Sequence, residues 1–171
     1  AQTTVKREAM ASGAFPALHN GEIPPWFQPQ ISTDTGRVTG FEALARWHHP
    51  KRGTVTPAEF LPVLQDTGQL ERLGEVVLYG ALSALKAWDQ TGFFVPCVSV
   101  NFSAEELRNP KLAEKLRWDL DRFDLPPERL TIEVLETIVA GSPEDAAARN
   151  LAALAKMGCR IDLDDFGTGH A

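Results

Sequence analysis

The sequence predicts an α/β protein built from parallel βαβ units. Strand-like runs at residues 95–103, 130–136 and 159–165 alternate with segments whose apolar residues recur at helical spacing. Every one of those strands is followed by a helix-starting or turn signal, the connection that parallel strands require. With 171 residues the chain has the size of one domain. Pattern alone leaves open whether the sheet is an open doubly wound one or a barrel.

Residues 1–20 show little periodicity and read as a leader or the end of an incoming linker, with the domain expected over residues 21–171. Residues 26–32 (WFQPQIS) and 38–47 (VTGFEALARW) read as two strands joined by the turn Thr33-Asp34-Thr35-Gly36. A helix follows with Thr56 as N-cap, Pro57 at its first position and Glu59 in its first turn. Phe60, Leu61 and Leu64 form its apolar face, and Thr67-Gly68 stops it. Residues 70–90 repeat apolar side chains at Leu73, Val76, Val77, Leu82 and Leu85 as one long helix.

After the strand at 95–103, Ser103 and Glu106 form a capping box, and the helix resumes beyond Pro110 to reach Phe123. The strand at 130–136 is followed by a helix opening at Ser142-Pro143-Glu144-Asp145, with Leu151 and Leu154 on one side. The strand at 159–165 then runs into Phe166-Gly167-Thr168-Gly169.

Composition narrows the function. Seventeen Lys and Arg stand against 23 Asp and Glu, a net charge of −6, which argues against a nucleic-acid polymer or an anionic membrane surface as partner. No run approaches the roughly 20 apolar residues of a membrane span, and the first residues lack the apolar centre of a signal peptide. Cys97 and Cys159 lie in apolar strand segments, as buried free thiols of a reducing, cytoplasmic compartment would. His48 and His49 are adjacent, so a strand would point them to opposite faces, and no cysteine stands nearby to complete a zinc site. The four tryptophans, Trp26, Trp47, Trp88 and Trp118, are expected in core and helix-packing positions.

The chemistry gathers at strand ends. Asn101 alternates with Val100 and Phe102, Glu133 with Ile132 and Val134, and Asp164 with Leu163, while Asp165 follows at the exit. Glu42 sits between Phe41 and Ala43 on an earlier strand. Period-2 alternation puts each oxygen-bearing side chain on one face near the same end of its strand. Parallel strands covered on both faces are ordinarily apolar on both, so this polar parity is costly. Four acids and an amide with no Lys or Arg among them repel unless a cation sits between them. An all-oxygen set favours Mg²⁺ or Mn²⁺ over zinc, and the adjacent Asp164-Asp165 can bridge two such ions. The residues therefore read as a metal-dependent site for an anionic, phosphorylated ligand at the C-terminal edge of the sheet.

Four ordered motifs carry a resemblance: Glu42-Ala43-Leu44 within FEALARWHHP, Asn101-Phe102-Ser103, Ile132-Glu133-Val134-Leu135-Glu136, and Asp164-Asp165-Phe166-Gly167-Thr168-Gly169. Phe27-Gln28-Pro29, Phe60-Leu61-Pro62 and Asp66-Thr67-Gly68 support them. From about Gly21 to its last residue the sequence resembles the EAL domain, the bacterial family of cyclic di-GMP phosphodiesterases. The resemblance implies a modified TIM (β/α)8-type barrel with an antiparallel first strand, of which this chain would hold about five strands out of a domain of about 250 residues. It implies hydrolysis of cyclic di-GMP to linear pGpG with one or two Mg²⁺ or Mn²⁺ ions. Glu42, Asn101, Glu133 and Asp164 match ligands of one metal, and Asp164 with Asp165 match the pair that engages the second. Arg46 matches the arginine that contacts substrate phosphate, and Gln28 and Leu44 match further ligand-contacting positions. Glu136 matches an acid that supports the loop after the Asp-Asp strand.

The family's later lysine, glutamate and glutamine have no counterpart before Ala171, so turnover is expected of a full-length protein in which the domain is complete. The same resemblance implies homodimerisation through the barrel and an upstream sensor or GGDEF domain. Two other readings stay open. One is a degenerate family member that binds cyclic di-GMP without cleaving it, and the other an unrelated Mg²⁺-dependent barrel enzyme acting on a different phosphate ester.

Overall fold

The computed structural model describes residues 2–139, 141–142 and 144–164. A five-stranded sheet of order β1-β2-β5-β6-β7 organises it, comprising β1 (Pro25–Ile31), β2 (Val38–Ala45), β5 (Val98–Asn101), β6 (Leu130–Leu135) and β7 (Arg160–Asp164). β1 runs antiparallel to β2, and every other pairing is parallel. The antiparallel first strand matches the fold the sequence motifs imply. Pro25 and Pro29 sit comfortably in β1 because it is an edge strand, where missing N–H donors can face away from the ladder. The β1–β2 turn closes as expected: Ser32 N–H donates to Arg37 O and Gly36 N–H to Ser32 O, both at 2.9 Å, with Gly36 in the left-handed region at φ 67°.

One face of the sheet is covered by helices. α3 (Leu70–Gln90) packs across β1, β2 and β5, and Trp88 meets Phe27 and Phe41 at ring-centroid distances of 5.2 and 5.1 Å. Val98, Val100, Leu130, Ile132 and Val134 are buried beneath the helix layer, each contributing on the order of 1.5–3 kcal/mol through its removal from water. α2 (Pro57–Asp66) starts after Thr56 as the sequence predicts, though the Thr56 side chain makes no capping bond. The capping box forms in full at α4 (Ala104–Arg108): Ser103 Oγ accepts from Glu106 N–H while Glu106 Oε1 accepts from Ser103 N–H at 3.1 Å. α5 (Leu112–Arg122) is the resumed helix. α6 (Glu136–Val139) and α7 (Ala146–Met157) follow, and the buried Asn150 of α7 donates to Leu107 O and Asn109 O at 2.6 and 2.8 Å, tying α7 to the end of α4. Cys97 and Cys159 are free and buried.

Two segments differ from the sequence reading. Residues expected to form a leader fold as α1 (Gln2–Asn20), with Met10, Ala14, Ala17 and Leu18 in the core. Their spacing is helical, but two of the four are alanines, too small to stand out as a hydrophobic stripe. Secondly, the strand expected over 38–47 ends at Ala45. Trp47–His49 becomes β3 and pairs with β4 (Gly53–Val55) in a separate hairpin. His49 Nδ1 accepts from the backbone N–H groups of Lys51 and Arg52, both at 3.1 Å, and Gly53 takes φ 69°. Trp47 is fully buried there, against Phe60 and Glu22.

Gly40 marks a point of close approach on β2. A Cβ at this position would lie 2.6 Å from the Cys97 carbonyl oxygen and 2.8 Å from its Sγ. Gly40→Ala is therefore expected to lower stability by about 1–3 kcal/mol, seen as a lower urea midpoint with unchanged slope.

Candidate active site

Strand register assembles the site. Gln28 pairs with Glu42 across β1 and β2, Glu42 with Ser99, Asn101 with Glu133, and Glu133 with Asp162. Residues directly opposite in a ladder point to the same face, so these side chains line the face opposite the helix-covered one. Leu44 shares it through its pairing with Trp26, and Asp164 through its pairing with Leu135. Asp165 lies outside the described residues. Glu136 opens α6 and is exposed.

Glu133 is the centre of this face. It is 9% exposed, one of few buried polar residues on the sheet, with Ser99 and Thr131 as companions. Its carboxyl is pushed up to about 8, first by burial, then by a hydrogen bond and charge repulsion from Glu42, with Asp162 and Asp164 adding to the repulsion. Gln30 Nε2 donates to Glu133 Oε1 at 3.5 Å, and Ser99 Oγ donates to Gln30 Oε1 at 3.3 Å, fixing which way the Gln30 amide points. Glu42 from β2 and Asp162 and Asp164 from β7 thus act electrostatically on Glu133 of β6. Among the described residues no three His, Cys, Asp or Glu side chains stand in the geometry of a metal-ligand set.

Asp162 and Gln30 belong to this neighbourhood although the motifs do not single them out. Asp162 has the same parity as Asp164, and Gln30 the same parity as Gln28, so alternation alone contained the signal. Arg46 stands at the rim with its Cζ 4.3 Å from the centroid of Trp26, whose Nε1 donates to His48 Nε2 at 2.9 Å. The expectation that all four tryptophans fill the core is corrected. Trp47 is buried and Trp88 partly so, but Trp26 is 44% exposed and Trp118 72%. Trp26 emerges because its strand position faces the polar side, and Trp118 because it lies away from the buried Leu112, Leu116 and Leu120 stripe of α5.

An antiparallel first strand leading into parallel strands, with polar side chains converging at their C-terminal ends, defines a TIM-barrel-like α/β domain. The chain belongs to the EAL domain family, whose sequence profile matches residues 12–171. It is 36% identical over 155 residues to the bifunctional diguanylate cyclase/cyclic di-GMP phosphodiesterase MucR of Pseudomonas aeruginosa, covering 91% of this chain and 22% of that protein. It is 32% identical over 154 residues to the cyclic di-GMP phosphodiesterase RocR of the same organism, covering 90% of this chain and 39% of RocR. The structure of the PaMucR phosphodiesterase in complex with c-di-GMP superposes with a TM-score of 0.86 at 33% identity, over 95% of this chain and 66% of that one. The chain therefore spans well under half the length of these curated relatives.

The raised carboxyl of Glu133 sets a pH dependence. A group whose folded-state pKa, here about 8, lies above its ordinary 4.5 stabilises the fold fully below 4.5 and loses that contribution as pH rises through 8. Glu106, held near 7 by burial, acts in the same direction. Metal-free protein is expected to lose stability between pH 4.5 and 8, with a shallower slope in Glu133→Gln, as measured by urea denaturation across that range.

Proposed function

We propose that this domain, within its full-length protein, hydrolyses cyclic di-GMP to linear pGpG. The observation that carries the reading is the buried carboxyl of Glu133 at the C-terminal end of parallel strands, pushed upward first by burial and then by Glu42, Asp162 and Asp164. Repulsion between neighbouring carboxylates is what a divalent cation relieves, and the donors are all oxygen, which fits Mg²⁺ or Mn²⁺. Glu42, Asn101, Glu133 and Asp164 would hold one ion, and Asp164 with Asp165 a second. Bound there, the cation would supply an activated water and stabilise charge developing on phosphorus.

This chain's own residues bind and orient. Arg46 at the rim presents a fixed cation to the non-bridging phosphate oxygens, where a guanidinium fork is well matched. Gln28 and Leu44, on the same face as Glu42, contact the ligand beside it. Glu136, at the start of α6, supports the segment that follows the Asp164-Asp165 motif. A product written pGpG keeps its phosphate on a 5′ oxygen, so water oxygen adds to phosphorus and the P–O3′ bond breaks. The released 3′ oxygen takes up a proton. The cyclic dinucleotide is the partner of this site, the setting is bacterial second-messenger signalling in the cytoplasm, and a homodimer and an upstream sensor or GGDEF domain complete the proposed assembly.

The test is turnover by full-length protein with Mg²⁺ or Mn²⁺. Wild type is expected to release pGpG, and Glu42→Ala to reduce the rate by at least about 10³-fold, measured by chromatography of the products. Full turnover by Glu42→Ala would remove Glu42 from the metal site. Tight calorimetric binding by wild type without product would instead identify an effector.

A further inference from the structure

The ladder between β1 and β2 continues beyond Ala45: Arg46 N–H donates to Pro24 O at 3.3 Å and His48 N–H to Glu22 O at 2.8 Å. Trp26 pairs with Leu44, which places Arg46 and then His48 along the diagonal that a long side chain on Trp26 can reach. The indole takes that path. Its Nε1 donates to His48 Nε2 at 2.9 Å, and the Arg46 Cζ lies 4.3 Å from its centroid. An indole 44% exposed to water is here fixed at both ends of its reach, by a hydrogen bond and by a cation.

We propose that Trp26 and His48 are positioning residues for Arg46: the indole, pinned by His48, holds the guanidinium at the rim with its N–H donors available to the phosphate of the cyclic dinucleotide. The inference rests on the function proposed above. A cation on an aromatic face is held without a competing acceptor, whereas a salt bridge would occupy its donors and neutralise its charge. None of the ion pairs among the described residues uses Arg46; those are made by Arg72, Lys86, Lys115 and Arg129. A free arginine has substantial rotamer freedom to lose on binding phosphate, and the indole removes part of that cost beforehand. His48 completes the device because its ring nitrogen accepts the one proton a tryptophan donates.

The experiment is a mutant cycle in the full-length protein, read by cyclic di-GMP hydrolysis and by calorimetric binding. Trp26→Leu and His48→Leu are each expected to lower kcat/KM by about tenfold. His48→Gln, whose amide oxygen can accept from the indole, should stay within about threefold of wild type. In an Arg46→Ala background Trp26→Leu should cause no further loss of affinity, because its effect passes through Arg46. An additive loss in that background would show that Trp26 touches the ligand itself and would overturn the proposal. So would a His48→Gln variant as impaired as His48→Leu, or wild-type behaviour of Trp26→Leu. Side-chain NMR separates this from failure of the functional reading. Wild-type Arg46 Nε–H should resonate upfield under the indole ring current, and return to its ordinary position in Trp26→Leu. If wild type neither binds nor cleaves the dinucleotide, the function falls while that resonance still decides the clamp; an unshifted wild-type signal overturns it.

Discussion

A carboxyl group held in the middle of a sheet, at Glu133, is the constraint around which the rest of the domain is arranged. Burial alone disfavours its charged form, and the acids of β2 and β7 make ionisation harder still. The fold tolerates this because strand alternation separates two environments by the thickness of one backbone. On one side Val100, Ile132 and Val134 meet the helix layer; on the other, Ser99, Asn101 and Thr131 supply polar atoms around the carboxyl. Gln30 and Ser99 form a short relay that ends on Glu133, so even the first, antiparallel strand contributes to holding it. The parallel strands bring their own acids, and the antiparallel hairpin brings Glu42 and Arg46 to the same rim.

Much of this architecture is legible in the sequence because local and tertiary preferences agree. The capping box at Ser103 and Glu106, the turn at Gly36 and the long amphipathic helix over 70–90 each have one physical reading, and the structure has it. What was hidden had weak local signals. α1 buries alanines, whose contribution is packing rather than apolar bulk. The β3–β4 hairpin starts at Trp47, read from the sequence as the end of the preceding strand, and its turn depends on His49 accepting two backbone donors, a bond invisible before the chain is folded.

The candidate site divides along the same line. Alternation within each strand marks Glu42, Asn101, Glu133 and Asp164 as sharing a parity, and that much needs no structure. Which of them meet depends on register between strands, a long-range property. Register places Asp162 beside Glu133 and Gln30 beneath it, and it swings Trp26 out of the core to lie along Arg46. Tryptophan is usually a core residue by bulk, yet its N–H makes a half-exposed position stable when an acceptor such as His48 is in reach.

Two arginines show how the ends of the strands differ in purpose. Arg129, ahead of β6, is saturated: it donates to both carboxylate oxygens of Asp89 at 2.9 and 3.0 Å and to the carbonyls of Val95 and Pro96 at 2.8 and 3.0 Å. Those bonds hold the Asp89 carboxyl below its ordinary range and lock the end of α3 to the segment entering β5. Such a guanidinium has little left to offer a ligand. Arg46, at the opposite end of the strands, rests on an aromatic ring and takes part in none of the ion pairs among the described residues. Saturated polar groups stabilise, whereas groups left with unmet electrostatic demand cost stability and gain it back only from a ligand. Arg129 therefore belongs to the fold, while Arg46, stacked on Trp26 just past the end of β2, keeps a guanidinium that no ion pair among the described residues occupies.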